Sequence, residues 1–447
     1  MKKINKKLLK VLSIIVINVI IITNLFNVIP AAANGFGENK VVAVSFKEGV
    51  SNYLQRKIIH RNNGKIKQFY NNSKTVIIKL PISKIENLQN ELSVEWVEEE
   101  NKGFKLFAQR QDWGIDKIKA SDAWNSTNSS LPNGFKGQGI KVAVIDTGID
   151  NSHPDFSGRI TAGVSCVDYQ NNGYTNNYFD KIGHGTHVAG IIAANDNSIG
   201  CIGVASQVQL YIAKVFDLNN IGQPIGGSDF DVAAAIRWAV ENEVDIINMS
   251  LGSDMGSYNL YLACEEAVEA GILLVASAGN EALQGNMASF PAAYGIVIGV
   301  GATDQSNNRA NFSNYGGYVD VVAPGDGIYS TFPSETCDNN HYDLADVAKG
   351  HINNDRGYHS MSGTSMAAPY VSGYLALLKN QFPNLTAAQL RQKMEGFALD
   401  LGDPGKDNYY GHGLVQFVAE GKTFTNNGAT YTLLSNTNNT VAIGDGS

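Results

Sequence analysis

From Ile140 onward the chain is marked by short apolar runs: Ile140–Ile145, Val208–Val215, Val244–Asn248, Ile272–Ala276, Ile296–Val300 and Val319–Val322. Runs of this length, apolar on both alternating positions, predict strands buried on both faces. Between and after them apolar residues recur at helical spacing over Gly185–Ala194, Phe230–Glu243, Leu260–Ala270, Ser365–Gln381 and Thr386–Phe397. Strands alternating with helices predict an α/β domain whose mainly parallel sheet carries helices on both faces. Such sheets bind their ligands beyond the carboxyl ends of the strands.

The preceding region is patterned differently. Lys40–Phe46, Thr75–Leu80 and Val94–Val97 read as strands, and Ser83–Leu92 as a helix that Ser83 would cap. Residues 34–107 are therefore expected to form a small α+β module. Before it, five lysines within residues 1–10 lead into an apolar run from Val11 to Ile29 and the triplet Ala31–Ala33. This order reads as a secretory signal peptide spanning residues 1–33. The run is also long enough to span a bilayer, but Asn18, Asn24 and Asn27 interrupt it and the alanines favour cleavage. The expected organisation is thus 1–33 signal peptide, 34–107 first module, 108–420 main domain and 421–447 a short Asn/Thr-rich extension.

Charge sharpens this division. Residues 1–107 carry a net +9 and residues 108–447 a net −17. So acidic a main domain argues against nucleic acid and against stable association with an anionic membrane. Four cysteines, Cys166, Cys201, Cys264 and Cys337, include no CxxC pair, and their spacing does not decide between free thiols and disulfides.

Three segments place a reactive side chain at a strand end or a helix start. Lys141–Ile145 runs into Asp146-Thr147-Gly148; Gly183-His184-Gly185-Thr186-His187 opens one small-residue helix; Gly363-Thr364-Ser365-Met366-Ala367 opens another. Taken singly they also fit a turn, half of a metal site at His184 and His187, and a simple N-cap. At Ser365 the free N–H groups of a helix start would stabilise negative charge developing on a substrate oxygen.

In the order Asp, His, Ser these motifs resemble those of the subtilisin-like serine proteases, across nearly all of residues 108–418. The resemblance implies a doubly wound subtilisin-like fold preceded by a ferredoxin-like propeptide. It also implies a secreted serine endopeptidase in which Ser365 is the nucleophile, His184 the general base and Asp146 the residue orienting the imidazole. Asn280, in Ala276-Ser277-Ala278-Gly279-Asn280, matches the family's oxyanion-hole asparagine. Ser250, Leu251 and Gly252 with Ser277, Ala278 and Gly279 match the backbone segments flanking the pocket for the residue before the cleaved bond. Phe290-Pro291 resembles a cis-proline turn at its wall, with Ser289 near its floor and Glu281 at its rim. Ser228-Asp229 stands where relatives often carry an aromatic, and Pro333–Gly357 is longer than the usual connection.

The same resemblance implies a structural Ca2+. Side chains of Gln109, Asp155 and Asn197 and the carbonyls of Asn195, Ile199 and Cys201 would supply oxygen ligands of the kind calcium takes; the bland reading is an Asn/Asp-rich turn. Residues 34–107 would be the enzyme's own propeptide, folding aid and inhibitor, released by cutting Phe107–Ala108. Protein and peptide substrates and a monomeric state are expected. A dedicated maturation protease with one cognate precursor, and a catalytically silent binding protein, are the other readings.

Overall fold

The computed structural model describes residues 39–69, 74–99, 109–128, 130–219, 221–333, 357–426, 429–433 and 443–445. Residues 1–33, read above as a signal peptide, the Phe107–Ala108 junction and most of Pro333–Gly357 with Cys337 lie outside the described residues. The chain divides into two compact units between Leu106 and Phe107.

The first unit is an antiparallel sheet in the order β2-β3-β1-β4, built from β1 (Asn39–Phe46), β2 (Lys65–Phe69), β3 (Thr75–Pro81) and β4 (Val94–Glu99). Alternation explains its core: Val42, Val44, Ile78 and Leu80 face inward against Ile58 and Ile59 of helix α1 (Asn52–Arg61). Ser51 caps α1 through the Leu54 N–H. The expected helix over Ser83–Leu92 is shorter. A single 3-10 turn, Ile82–Lys84, precedes α2 (Ile85–Gln89), and Ser83 caps nothing. Only Ile85 and Leu88 find a core in α2, while Leu92 is 89% exposed, so no apolar contact rewards a longer helix.

The second unit is organised by a seven-stranded sheet, β13-β12-β11-β10-β5-β7-β6, in which every neighbouring pair is parallel. Its strands are β5 (Lys141–Asp146), β6 (Ile160–Ser165), β7 (Gln209–Lys214), β10 (Ile246–Met249), β11 (Leu273–Ser277), β12 (Ile298–Thr303) and β13 (Val321–Pro324). All but β6 fall on the apolar runs, within three residues at each end. Successive side chains serve opposite cores. Val142 and Val144 of β5 enter one cluster, and Ala143 and Ile145 the other. The first cluster is closed by α3 (His184–Ala193) and α6 (Thr364–Gln381), the second by α4 (Asp229–Glu241) and α5 (Tyr258–Glu269). Both inner helices are apolar nearly all round, as burial on every side requires. In α6 only Ser365, Lys379 and Gln381 escape full burial.

Strand order reverses direction at β5, with β7 on one side and β10 on the other. This is the switch point at which a doubly wound sheet opens a crevice. Smaller ribbons pair β8 (Phe216–Leu218) with β9 (Pro224–Gly226) and β14 (Ile328–Thr331) with β15 (Tyr358–Met361). Helix α7 (Ala387–Phe397) starts with a Thr386–Gln389 capping box. The last segment forms strands: β16 (Thr423–Asn426), β17 (Ala429–Leu433) and β18 (Ile443–Asp445) make an antiparallel sheet, and Phe424 packs edge-on against Phe397.

Cys166, Cys201 and Cys264 are free and buried. Burial pushes the thiols of Cys166 and Cys264 up to about 12 and that of Cys201 upward as well. Among the described residues no helix is long and apolar enough to cross a membrane.

Candidate active site

Asp146 is the last residue of β5, 1% exposed, so the strand delivers a carboxylate to the edge of the sheet. Its Oδ1 accepts from the Thr147 N–H at 2.7 Å and lies 2.8 Å from His184 Nδ1. That contact assigns the proton to Nδ1 and leaves Nε2 of the neutral ring as an acceptor. His184 is the first residue of α3. The preceding Gly183 adopts φ +101°, a turn that a β-carbon would strain. Gly185 permits the close approach: a Cβ there would fall 2.3 Å from the Gly148 carbonyl oxygen. Burial presses the His184 pKa down, but the charge and hydrogen bond of Asp146 and the charge of Asp180 outweigh it, and the net shift is upward.

Ser365 begins α6 one residue after Thr364. Its Oγ donates to the Ser250 carbonyl at 3.2 Å, and no hydrogen bond joins it to His184. Pro369 explains a second link. Four residues along the helix it offers no N–H, so the Ser365 carbonyl has no helical partner. Ser250 Oγ supplies the missing donor at 2.8 Å.

Asn280 follows β11 and bends toward the start of α6. Its side chain accepts from the Thr364 N–H at 2.8 Å and from Thr364 Oγ1 at 2.9 Å. A backbone N–H can only donate, so the accepting atom is Oδ1, and Nδ2 is left as a spare donor beside Gly363. Ser250–Gly252 and Ser277–Gly279 continue two adjacent strands, and Ser277 Oγ reaches the Leu251 carbonyl at 3.4 Å. Ser289 is buried against Gly252, where a Cβ would meet its Oγ at 2.0 Å. The Phe290–Pro291 peptide is cis. Glu281 is more engaged than an open rim carboxylate, since its Oε2 accepts from the Asn280 N–H and from Asn314 Nδ2. Ser228 and Asp229 tie helices together: Ser228 caps α4, and Asp229 accepts from Ser257, the cap of α5.

The residues expected to hold calcium also gather. Gln109 donates to the carbonyls of Asn195 and Cys201, and Asn197 donates to Asp155 at 2.7 Å. Ile199 is joined to Asn197 through its N–H. Asp155 is fully buried, and among the described residues no lysine or arginine pairs with it. Burial pushes its carboxyl up, against hydrogen bonds from Asn197, Tyr358 and Cys201 and the charge of His153. A buried carboxylate without a cation fits an ion site. The described residues contain no cluster of three or more His, Cys, Asp or Glu; a hard cation would take most of its oxygens here from amides and carbonyls. His187, grouped with His184 by spacing, is no ligand: its Nε2 lies 3.0 Å from the carbonyls of Ile328 and His359, and burial holds its pKa at about 3.

Comparison with known proteins agrees with this architecture. Residues 137–413 match the model of the subtilase family. The chain is 37% identical to subtilisin NAT of Bacillus subtilis subsp. natto over 398 residues, 88% of this chain and 93% of that protein. It is 40% identical to subtilisin DY of Bacillus licheniformis over 314 residues, 70% of this chain and 99% of that protein. It is 42% identical to a thermostable alkaline protease of Halalkalibacterium halodurans over 308 residues, 69% and 73% of the two chains. Fold and comparisons together define a serine endopeptidase, a hydrolase of peptide substrates. Within that class the chain belongs to the subtilase family.

Two outcomes are expected. Should His184 serve as the general base, its raised pKa places the midpoint of the acid limb of kcat/KM above the ordinary imidazole value of about 6.5; a pH–rate profile on a peptide anilide with its midpoint at or below that value contradicts this. Gly185→Ala should push α3 off β5, with a loss of kcat of about 10-fold or more; wild-type turnover in the folded variant would show that the gap tolerates a methyl group.

Proposed function

We propose that Asp146, His184, Ser365 and Asn280 carry out the peptide hydrolysis. In this reading Ser365 Oγ swings from the Ser250 carbonyl to His184 Nε2, gives up its proton there and bonds to the scissile carbonyl carbon. The oxygen of that carbonyl takes the negative charge, between Asn280 Nδ2 and the Ser365 backbone N–H. Asp146 keeps the second imidazole proton on Nδ1 and stabilises the imidazolium. His184 then protonates the leaving amine as the C–N bond breaks. Water, deprotonated by the same nitrogen, releases the acid and restores Ser365. The carrying observation is the Asp146–His184 contact at 2.8 Å together with the Asn280 amide turned by Thr364.

Substrate would lie extended along Ser250, Leu251 and Gly252 and along Ser277, Ala278 and Gly279, so that main-chain hydrogen bonds supply affinity. Ser289 would close the floor of the adjoining pocket. Residues 1–33 act as a secretory signal and 34–107 as a propeptide inhibitor cut from the mature chain at Phe107–Ala108, which leaves a secreted monomer. The +4 of residues 34–107 against −17 for residues 108–447 favours their association.

Intact mass of the purified precursor tests this directly. Wild type incubated with calcium should lose residues through Phe107, while Ser365→Ala stays full length. Equal processing of the mutant would remove Ser365 from the mechanism or assign the cut to another protease.

Calcium is assigned to the side chains of Gln109, Asp155 and Asn197, the two amides turning over from the donor orientation they show here to present oxygen, and to the carbonyls of Asn195, Ile199 and Cys201. Its role is to neutralise Asp155 and brace the loop that follows α3. At a hundredfold excess over its Kd the ion would add about 2.7 kcal/mol of stability. Calcium should therefore raise the melting temperature of a Ser365→Ala precursor, chelation should reverse the gain, and Asp155→Asn should abolish it. A calcium-independent melting temperature in the parent would end the assignment.

A further inference from the structure

Asp180 lies in the loop before α3, four residues ahead of His184, and is fully buried. Its Oδ1 accepts from Thr147 Oγ1 at 2.9 Å, the Ile182 N–H at 2.9 Å and the Gly183 N–H at 2.7 Å. Its Oδ2 accepts from the Thr186 N–H at 2.9 Å and Thr186 Oγ1 at 2.6 Å. Thr147 Oγ1 in turn accepts from the Gly185 N–H at 2.7 Å. A helix start leaves its first N–H groups without partners, and Gly183 has no side chain with which to cap α3. Asp180 and Thr147 together satisfy those of Gly183, Gly185 and Thr186.

A cap alone would not need this connectivity. The donors on Asp180 belong to two elements: residues on either side of His184, and Thr147, the neighbour of Asp146. One carboxylate therefore fixes the end of β5 to the first turn of α3. Lys214, in register with Asp146 across β5 and β7, stands behind it. Its buried Nζ donates to the Phe179 carbonyl at 2.7 Å and lies 3.2 Å from Asp217, so it holds the residue before Asp180 in place.

We propose that Asp180 is a positioning residue for catalysis, setting the distance and orientation between Asp146 and His184. This rests on the triad reading above. The carboxylate also acts through space. Around the His184 ring, Asp146 from β5 and Asp180 from the loop are the negative charges, His187 one turn along α3 is neutral, and the positive Lys214 is held by the Phe179 carbonyl and Asp217. Removing the charge of Asp180 withdraws part of what favours the imidazolium, so the His184 pKa must fall.

The test compares Asp180→Asn, Thr147→Val and His184→Ala, each expressed as the full chain. Fold is followed by circular dichroism, and kcat and KM on a peptide anilide are followed against pH. Asp180→Asn should lower kcat about 10- to 100-fold with KM nearly unchanged, and move the acid limb of kcat/KM to lower pH. Thr147→Val cuts the link but keeps the charge, so kcat should fall while the limb stays in place. A folded Asp180→Asn with wild-type kcat, or with an unmoved limb, overturns the proposal. If that variant does not fold, Thr147→Val decides: reduced kcat with a fixed limb supports the clamp, and wild-type kcat overturns it. Activity retained by His184→Ala would instead overturn the triad reading.

Discussion

Burial of one parallel sheet on both faces is the constraint from which the site follows. Each central strand sends alternate side chains into separate cores, so a slip of one residue would force each set into the core packed for the other. The register is thereby held, and with it the height at which each strand ends. Asp146, Met249 and Ser277 end three adjacent strands at one edge. Polar residues gather at these ends, with Asp146 and Thr147 after β5, Ser250 after β10 and Ser277 closing β11.

The second requirement is that two apolar helices bring polar first turns to the same edge. Helix α3 is buried at every residue after His184, and α6 at nearly every one after Ser365. Each is fixed along its length by packing and presents a partly exposed polar residue, His184 or Ser365, in its first turn. Hydrogen bonds then do locally what the cores do globally. Thr364 orients Asn280, and Ser250 holds Ser365 by both its hydroxyl and its carbonyl. The electrostatic consequence is a site where most charge is negative and desolvated. His184 is drawn toward its protonated form there, while His187, one turn away between two carbonyls, stays neutral.

Much of this was legible in the sequence, for reasons that also explain the rest. β5, β7, β10, β11, β12 and β13 are continuous apolar runs because they are covered on both sides. The edge strand β6 (Ile160–Ser165) mixes threonine, glycine and serine with its apolar residues and gives no such signal. In the first unit α1 and β2 are mostly polar and exposed, with Ile58 and Ile59 nearly alone in marking an inward face. Asp146, His184, Ser365 and Asn280 stand in compact motifs, and so were readable as candidates. Asp180 was not, because an aspartate in a polar loop looks like a solvated charge. Four of its five donors lie in the next six residues and the fifth on distant Thr147, and they converge on one carboxylate only on folding. Lys214 carried a fainter mark, as a cation ending the apolar run Leu210–Ala213.

Pro369 has an effect that reaches beyond the helix it interrupts. By withholding one N–H it turns the Ser365 carbonyl outward to Ser250, the residue that follows β10. Ser365 and the end of β10 thus form one mechanical unit. A displacement of Ser250 is carried through its own hydroxyl, by a single hydrogen bond, to the backbone of Ser365. The end of a central strand and the first turn of α6 are in this sense coupled by an atom that proline lacks.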